Sequence, residues 1–314
     1  STHTVSVQYR APTGGWQNGN LSTIWYDSSD SRWETNFTPS GTAILGDYDI
    51  RIMVNDTDGG STGWSTYSDV VTVTGVTQEW SYETDANIQA VAVSADGEYI
   101  VAGSADDKVY LFEKDSSTPL WTYTTGGVVI SVAISADGEY IAVGSYDTKV
   151  YLFDKDSSTP LWSYETGGGV YSVAISADGE YIVAGSQDNK VYLFDKSSSS
   201  PLWSYTTGDD VYCYGTTTCV AISADGKYIV AGSEDDKAYL FDKDSSTPLW
   251  SYDTGSNVKS IAISADGEYV VVGADNNKVY LFDKDSSTPL WSYTTGGDVY
   301  GLSISADGEY IVAG

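Results

Sequence analysis

One hexapeptide, Ser-Ala-Asp-Gly-(Glu/Lys)-Tyr, begins at Ser94, Ser135, Ser176, Ser223, Ser264 and Ser305, returning after 41, 41, 47, 41 and 41 residues. No other property of this 314-residue chain limits its fold so strongly. A repeat of this length is one supersecondary unit that cannot bury its own apolar faces, so neighbouring units must stack to do it. The unit Val170–Tyr205 reads VYSVAISADGEYIVAGSQDNKVYLFDKSSSSPLWSY. Tyr171, Val173 and Ile175 alternate with Ser172, Ala174 and Ser176, the period of a strand. Ala177-Asp178-Gly179 then turns the chain, because Asp-Gly supplies the positive φ of a tight hairpin. A second strand (Tyr181–Gly185), a turn (Ser186–Asn189), a third strand (Val191–Phe194), a polar loop (Asp195–Pro201) and a fourth strand (Leu202–Tyr205) complete the unit.

Four short antiparallel strands, repeated about every 40 residues, define an all-β β-propeller of four-stranded blades. Small Ala174, Ala184 and Gly185 are expected to receive large Tyr181, Val183, Phe194 and Trp203 of a neighbouring blade. First strands begin near Ile88, Val129, Val170, Thr218, Val258 and Val299, but third strands only near Val109, Val150, Val191, Ala238 and Val279. The expectation is therefore six blades, the last incomplete, and seven if the native chain is longer. Glu79–Thr84 reads as a fourth strand that precedes any first strand. It is expected to be the outermost strand of the blade that closes the ring. The missing third strand would come from chain beyond Gly314 or from a neighbouring subunit, since an unpaired strand edge is a template for strand addition.

The order VxSVAISADGEYIVAGSxDxKVYLFD resembles the repeat of WD-repeat propellers, and also the pyrroloquinoline-quinone-type repeat, over Gln78–Gly314. The His before the first strand and the Trp of the third strand in WD repeats are missing, so their Asp-His-Ser-Trp hydrogen-bond network cannot form here. In the quinone-type family an Asp and a Trp eight residues apart dock one blade onto the next. Asp154 and Trp162, Asp195 and Trp203, Asp242 and Trp250, and Asp283 and Trp291 have that spacing. The family's small residue and Gly within this motif are replaced by Leu152 and Ser158. Near-identical repeats of this kind resemble archaeal surface-layer and other envelope proteins, in which propellers stand beside Ig-like domains. The quinone branch implies a dehydrogenase with cofactor and calcium at the ring centre. No distinct Glu/Asn/Asp calcium set stands out from the repeated turns.

Residues 1–76 lack the 41-residue period and hold all three arginines, Arg10, Arg32 and Arg51. Strands are predicted at Val5–Tyr9, Leu21–Tyr26, Arg32–Phe37, Tyr48–Val54 and Val70–Thr74. The stretch YDIRIMVNDTDGG…WSTYSDVVTV resembles the closing strands of Ig-like, fibronectin-type or polycystic-kidney-type sandwiches, which implies a small, partial Ig-like β-sandwich before the propeller at 79–314. Asn20, Asn36 and Asn55 head three Asn-x-Ser/Thr sequons, all in this region. Asn55, Asp56, Asp58 and Gly59 start like a calcium loop but lack its distal Glu, so a polar hairpin turn is the better reading. Calcium is thus a weak expectation, and no other cofactor is expected.

A net charge of −29 argues against nucleic-acid partners and against an anionic membrane surface. No apolar run approaches the length of a bilayer span. The chain carries neither signal peptide nor initiator Met and reads as a processed or excised piece. The 47-residue spacing comes from six inserted residues, Cys213 to Thr218. Cys213 and Cys219 are the only cysteines. A disulfide between them would imply an oxidising compartment and stabilise by about 2 kcal/mol. Two free thiols or a metal site are the alternatives.

With His3 the only histidine, no Ser-His or Cys-His arrangement can be built around the propeller. A carboxylate pair remains conceivable chemically. However, Asp96, Asp137, Asp178, Asp225, Asp266 and Asp307 occupy repeated Ala-Asp-Gly turns. Asp106, Asp147, Asp188 and Asp235 occupy the second turns, where an Asp hydrogen-bonds its own turn. The informative positions are those that vary between repeats. The slot after the first residue of each first strand holds Gln89, Ile130, Tyr171, Tyr212, Lys259 and Tyr300; the slot before the second-turn Asp holds Ala105, Tyr146, Gln187, Glu234 and Ala274. Both fall on one rim, giving a candidate binding rim of Tyr146, Tyr171, Tyr212, Tyr214 and Tyr300 with Asp209, Asp210 and Glu234. Tyrosine among Gly and Ser makes adaptable recognition surfaces; drift among near-identical repeats is the plainer alternative. The expected function is a non-catalytic, extracellular structural or interaction protein of a cell envelope or surface appendage. Its expected partners are envelope proteins, glycans or further copies of itself. A carbohydrate- or peptide-binding module using the Tyr-rich rim is the alternative.

Overall fold

The computed structural model describes residues 3–10, 17–18, 20–27, 32–38, 46–56, 65–73, 80–212 and 218–314, and for those before Trp80 it describes the backbone alone. The chain divides into two compact units, Ser1–Glu79 and Trp80–Gly314. In the first, Gln17–Asn18, His3–Arg10, Gly46–Asp56 and Ser65–Val73 form a four-stranded sheet in that order, and Asn20–Asp27 pairs with Arg32–Thr38. All neighbours are antiparallel. These strands overlap the five read from sequence. Gln17–Asn18 was not among them, because two residues carry no periodicity.

The second unit is a β-propeller. Five four-stranded antiparallel sheets span 88–124, 129–165, 170–206, 220–253 and 258–294, here blades 1 to 5, each with its strands hydrogen-bonded in chain order. A sixth unit pairs Leu302–Ile304 with Ile311–Ala313. No helix occurs among the described residues. First strands of successive blades lie side by side and line a common axis.

Third strands show why simple alternation is absent. In Lys190–Asp195, Val191, Tyr192, Leu193 and Phe194 are all buried. Tyr192 and Phe194 join one cluster with Leu152, Val170 and Val173 of blades 2 and 3; Val191 and Leu193 join another with Val211, Tyr239 and Phe241 of blades 3 and 4. A strand sandwiched on both faces reads as a continuous apolar run. The second-strand glycines permit the close approach: a Cβ on Gly185 would lie 2.6 Å from Val211 Cγ1.

Three further devices join each blade to the next. Along the turn end, Ala95 N–H donates to Ala136 C=O, Ala136 to Ala177, Ala177 to Ala224, Ala224 to Ala265 and Ala265 to Ala306, at 2.9–3.1 Å. The Ser-Ala-Asp-Gly motif therefore forms a rail between blades as well as a turn. At the outer edge, the Trp of one fourth strand stacks on the third-strand Phe of the following blade, as Trp121 does on Phe153 at 5.2 Å. Its Nε1–H donates to a carbonyl there: Trp121 to Lys155 (2.7 Å), Trp162 to Lys196 (2.8 Å), Trp203 to Lys243 (2.8 Å) and Trp250 to Lys284 (2.9 Å).

The third device is a carboxylate in an unexpected place. Asp147 Oδ2 accepts from Gly126 N–H of the preceding blade (2.7 Å) and from the hydroxyl of Tyr151 in its own blade (2.5 Å). Asp188 does the same with Gly167 and Tyr192, and Asp235 with Gly208 and Tyr239. The second-turn Asp is thus an inter-blade latch in addition to a turn residue. By contrast Asp154, Asp195, Asp242 and Asp283 of the Asp–Trp spacing cap their own loops, accepting from Asp156, Ser197, Asp244 and Asp285 N–H at 2.8–2.9 Å. Of that resembled docking pair, the Trp docks and the Asp does not.

The strand expected at Glu79–Thr84 is not formed over 80–84. Its residues have no neighbouring third strand with which to build a ladder. Trp80 nevertheless does what Trp121 does: it stacks on Phe112 at 5.2 Å and donates to Lys114 C=O. Apart from this cover by Trp80, residues of the first and last units stay open, with Val91 66% and Tyr310 71% exposed.

Candidate recognition rim

Every one of the five full blades carries either a register irregularity near the start of the first strand or an insertion at the same point. In blades 1, 2, 3 and 5 the register shifts between Ile88 and Ala90, Val129 and Ser131, Val170 and Ser172, and Val258 and Ser260. The residue skipped is Gln89, Ile130, Tyr171 or Lys259. A bulge leaves one residue outside the ladder and re-aims its side chain. The alternation read from sequence, with Tyr171 on the face of Val173, is therefore corrected: Val170 and Val173 share the core face, and Tyr171 is displaced from it. In blade 4 Val211 packs against Gly185, as Val170 packs against Gly144. Tyr212 then takes the bulge slot, and Val220 begins the regular strand Val220–Ile222. The first strand thus begins at Val220 rather than near Thr218. The insertion falls in sequence at the point where the other blades carry their bulge.

These displaced residues converge. Gln89, Ile130, Tyr171 and Tyr212 line a pocket of about 320 Å³ together with Tyr146, Ala105 and Val128. Tyr146 meets Tyr171 edge to face, centroids 5.2 Å apart at 86°, and Tyr171 meets Tyr212 at 4.3 Å. Burial, and then the hydrogen bond with Tyr146, push the Tyr171 phenol well above its usual pKa. Tyr146 stays half exposed, at 49%. Gly169 fits beneath the pair, since a Cβ there would lie 3.1 Å from the Tyr146 ring.

The predicted acidic residues form a second group at the junction of blades 3 and 4. Glu234 N–H donates to Asp210 C=O (3.0 Å), and the Ser233 hydroxyl donates to Asp209 C=O (3.0 Å). Burial, then repulsion from Asp209, raise the Asp210 pKa, although Gln187 beside it favours the charged form. Burial raises that of Glu234, with Lys259 opposing and Asp210 and Asp209 adding to the rise. Asp210 lies close enough to add to the upward shift of Tyr171. Lys259, 6% exposed, pairs with Asp275 at 3.2 Å. Tyr300 belongs to the sixth unit and donates to Asp298 at 3.1 Å.

The remaining predicted site residues are placed as follows. Tyr214 and Cys213 lie outside the described residues, and so does the geometry of the pairing read for Cys213. Cys219 is fully buried and disulfide-bonded. Asn20 and Asn36 both lie near one end of the Asn20–Asp27 and Arg32–Thr38 ladder, Asn20 opposite Thr38 and Asn36 opposite Thr23. Asn55 and Asp56 lie in Gly46–Asp56, opposite Thr4 and His3, while Asp58 and Gly59 of the loop reading lie outside the described residues. Gln89, Ile130 and Lys259, read from sequence as occupants of the varying slot, were left out of the candidate rim because they are neither aromatic nor acidic. The spacing of three between core residues Val170 and Val173, where a flat strand gives two, was the signal for their bulge.

A second cavity, of about 390 Å³, lies on the axis between the first strands of blades 1 to 4 and is lined by Gln89, Ser131, Ser172, Thr218 and aliphatic neighbours. A quinone with calcium needs carboxylate ligands and cations for its own carboxylates. The cavity lining supplies neither, so these residues do not fit that group. Among the described residues no three His, Cys, Asp or Glu side chains gather as a metal site, and no helix is long and apolar enough to cross a membrane.

A repeat of four-stranded blades latched by Trp and Asp defines a PQQ-like propeller. The family model described as outer membrane protein assembly factor BamB, a PQQ-like repeat model, matches residues 22–212 and 215–314. The chain belongs to this family. The match reaches back into residues 22–79, where the 41-residue period is not visible. No curated protein matches the chain.

Proposed function

We propose that this protein is a non-catalytic, extracellular scaffold of a cell envelope or surface appendage, with the propeller as the surface that engages protein or glycan partners. One observation carries the reading: side chains vary from blade to blade at the bulge, and four of those side chains converge on one pocket. The repeated carboxylates, by contrast, are taken up in turns and latches. The family description, an outer-membrane assembly factor, supports a protein-interaction role. The sequons, the half-cystine at Cys219 and the acidic charge support an extracellular setting, with no cofactor required. The N-terminal unit is an Ig-like sandwich in this reading, and the closely similar repeats are of the archaeal surface-layer type. Fractionation of the source cells, with mass spectrometry of Asn20, Asn36 and Asn55, tests it. Glycan on at least one Asn in an envelope fraction is expected; unmodified Asn at all three in a cytosolic fraction would refute the reading.

The aromatic pocket favours a second, more specific reading, a carbohydrate- or peptide-binding module. Binding on a glycan array that disappears with Tyr146→Ala would favour the carbohydrate branch.

A further inference from the structure

The chemistry around the pocket distinguishes among its potential ligands. Three of its lining residues are phenol rings in a row: Tyr146, half exposed, meets Tyr171 edge to face, and Tyr171 meets Tyr212. Aromatic faces carry negative quadrupole density and attract cations as well as sugar C–H groups. The surrounding charge separates the two. Asp209 and Asp210 immediately precede the Val211-Tyr212 wall, and Glu234 is hydrogen-bonded through its backbone to Asp210. Lys259, the cation that acts on Glu234, is already paired with Asp275. Asp209, Asp210 and Glu234 thus bring three carboxylates to this junction, and Asp210 and Asp209 both act on Glu234. Asp188, which adds to the repulsion on Asp210, holds a buried Oδ1 with no hydrogen-bond partner. Burial chiefly raises the pKa values of Asp210 and Glu234, and repulsion from Asp209 adds to both, while Gln187 favours charged Asp210 and Lys259 and Asn257 favour charged Glu234. A neutral sugar would leave that repulsion in place, and a cation would remove it.

We infer that the pocket walled by Tyr146, Tyr171 and Tyr212 receives a cationic side chain, arginine or lysine, from a segment of a partner protein. The guanidinium or ammonium lies against the Tyr146 ring, and Asp210 and Glu234 supply the opposite charge. This rests on the reading of the rim as the partner surface and adds the chemistry of the partner. Arginine is the better fit, because its planar group stacks on aromatic rings and is less strongly hydrated than an ammonium.

The test uses the full chain with tyrosine rings isotopically labelled, observed by NMR. A short blocked peptide with one arginine is titrated in, then the same peptide with neutral, isosteric citrulline, then a neutral oligosaccharide. The arginine peptide is expected to shift the Tyr146 and Tyr171 rings saturably, with citrulline about tenfold weaker. Tyr146→Ala should weaken arginine binding by about the same factor, Tyr146→Phe by no more than about twofold, and Asp210→Asn by several-fold. Citrulline binding as well as arginine would overturn the cationic assignment. So would the oligosaccharide alone shifting these rings, although the rim reading would survive either result. If no titrant shifts a rim tyrosine and arginine shifts spread over the acidic surface, both readings fall.

Discussion

The first strand of every blade has two dissimilar ends. At one end the Ser-Ala-Asp-Gly turn is repeated almost without change, and each turn hydrogen-bonds to the next. At the other, a bulge or insertion frees one side chain, and its identity runs through Gln, Ile, Tyr, Tyr and Lys across blades 1 to 5. The backbone constraint differs in kind. In the turn, Ser176 Oγ bonds Asp178, Asp178 accepts from Glu180 N–H, Tyr181 N–H donates back to Ser176 Oγ, and Tyr140 of the preceding blade covers Gly179. A substitution at Ser176 or Asp178 would leave these groups without their partners. The bulge residue is outside the ladder, so its side chain is free to differ. The repeated turn and the variable bulge therefore occupy opposite ends of one strand.

The largest expected effect comes from the turn end. Gly179 has φ +71° and a Cβ there would lie 2.5 Å from the Tyr140 ring, whereas Gly97 has φ +74° with nothing within 4 Å. Gly179→Ala should cost about 3 kcal/mol, combining left-handed strain with overpacking. Gly97→Ala should cost about 1 to 2 kcal/mol, from strain alone. Equal losses in denaturant midpoints would show that the Tyr-on-Gly contact contributes little.

The latch comes next. Tyr192→Phe should lose about 1 to 2 kcal/mol, because buried Asp188 loses a hydroxyl donor. Tyr280→Phe in blade 5 should lose less. There Asn276 replaces the Asp and still donates to Thr254 C=O at 2.6 Å without the hydroxyl. A Tyr280→Phe variant as damaged as Tyr192→Phe would contradict the assignment of the carboxylate as the latch.

The two ends should also respond to acid with opposite signs. The hydroxyls of Ser94, Ser264 and Ser305 hold Asp96, Asp266 and Asp307 below 3.8. Their stabilisation is present above 3.8 and lost as pH falls through the depressed folded values. Asp210 and Glu234 sit above their ordinary 3.8 and 4.5, chiefly through burial. They penalise the folded state at neutral pH, and stability rises as pH falls through their raised values. A stability profile should therefore rise slightly on mild acidification and fall below about pH 4. Asp210→Asn should reduce the rise and leave the fall; a profile insensitive to that substitution would remove Asp210 from the account.

The propeller was legible in the sequence because the period of 41 and the Asp-Gly turns are local facts. The strands at Tyr181, Val191 and Trp203 follow from them with little tertiary information. The latch was only half legible. Asp188 has the chemistry of a turn residue, and only the packed neighbour reveals that it also holds Gly167. The resemblance pointed to Asp195, which in the folded chain caps its own loop. The rim was read from variation among repeats, and Tyr146, Tyr171 and Tyr212 do come together. Tyr300 does not join them, because position in a repeat fixes which rim a residue occupies but not which neighbours it meets. Glu79–Thr84 matched a fourth strand in pattern, yet a ladder needs a partner strand that pattern cannot supply.

The central claim is that the bulged end of the first strands is the recognition end. Hydrogen–deuterium exchange of the full chain, with and without saturating arginine peptide, tests it most directly. Added protection is expected at 128–130, 145–147, 169–172, 209–212 and 234, with the Ser-Ala-Asp-Gly turns unchanged. Protection appearing at the turns around Asp137, Asp178 and Asp225 instead, with the rim unaffected, would contradict it.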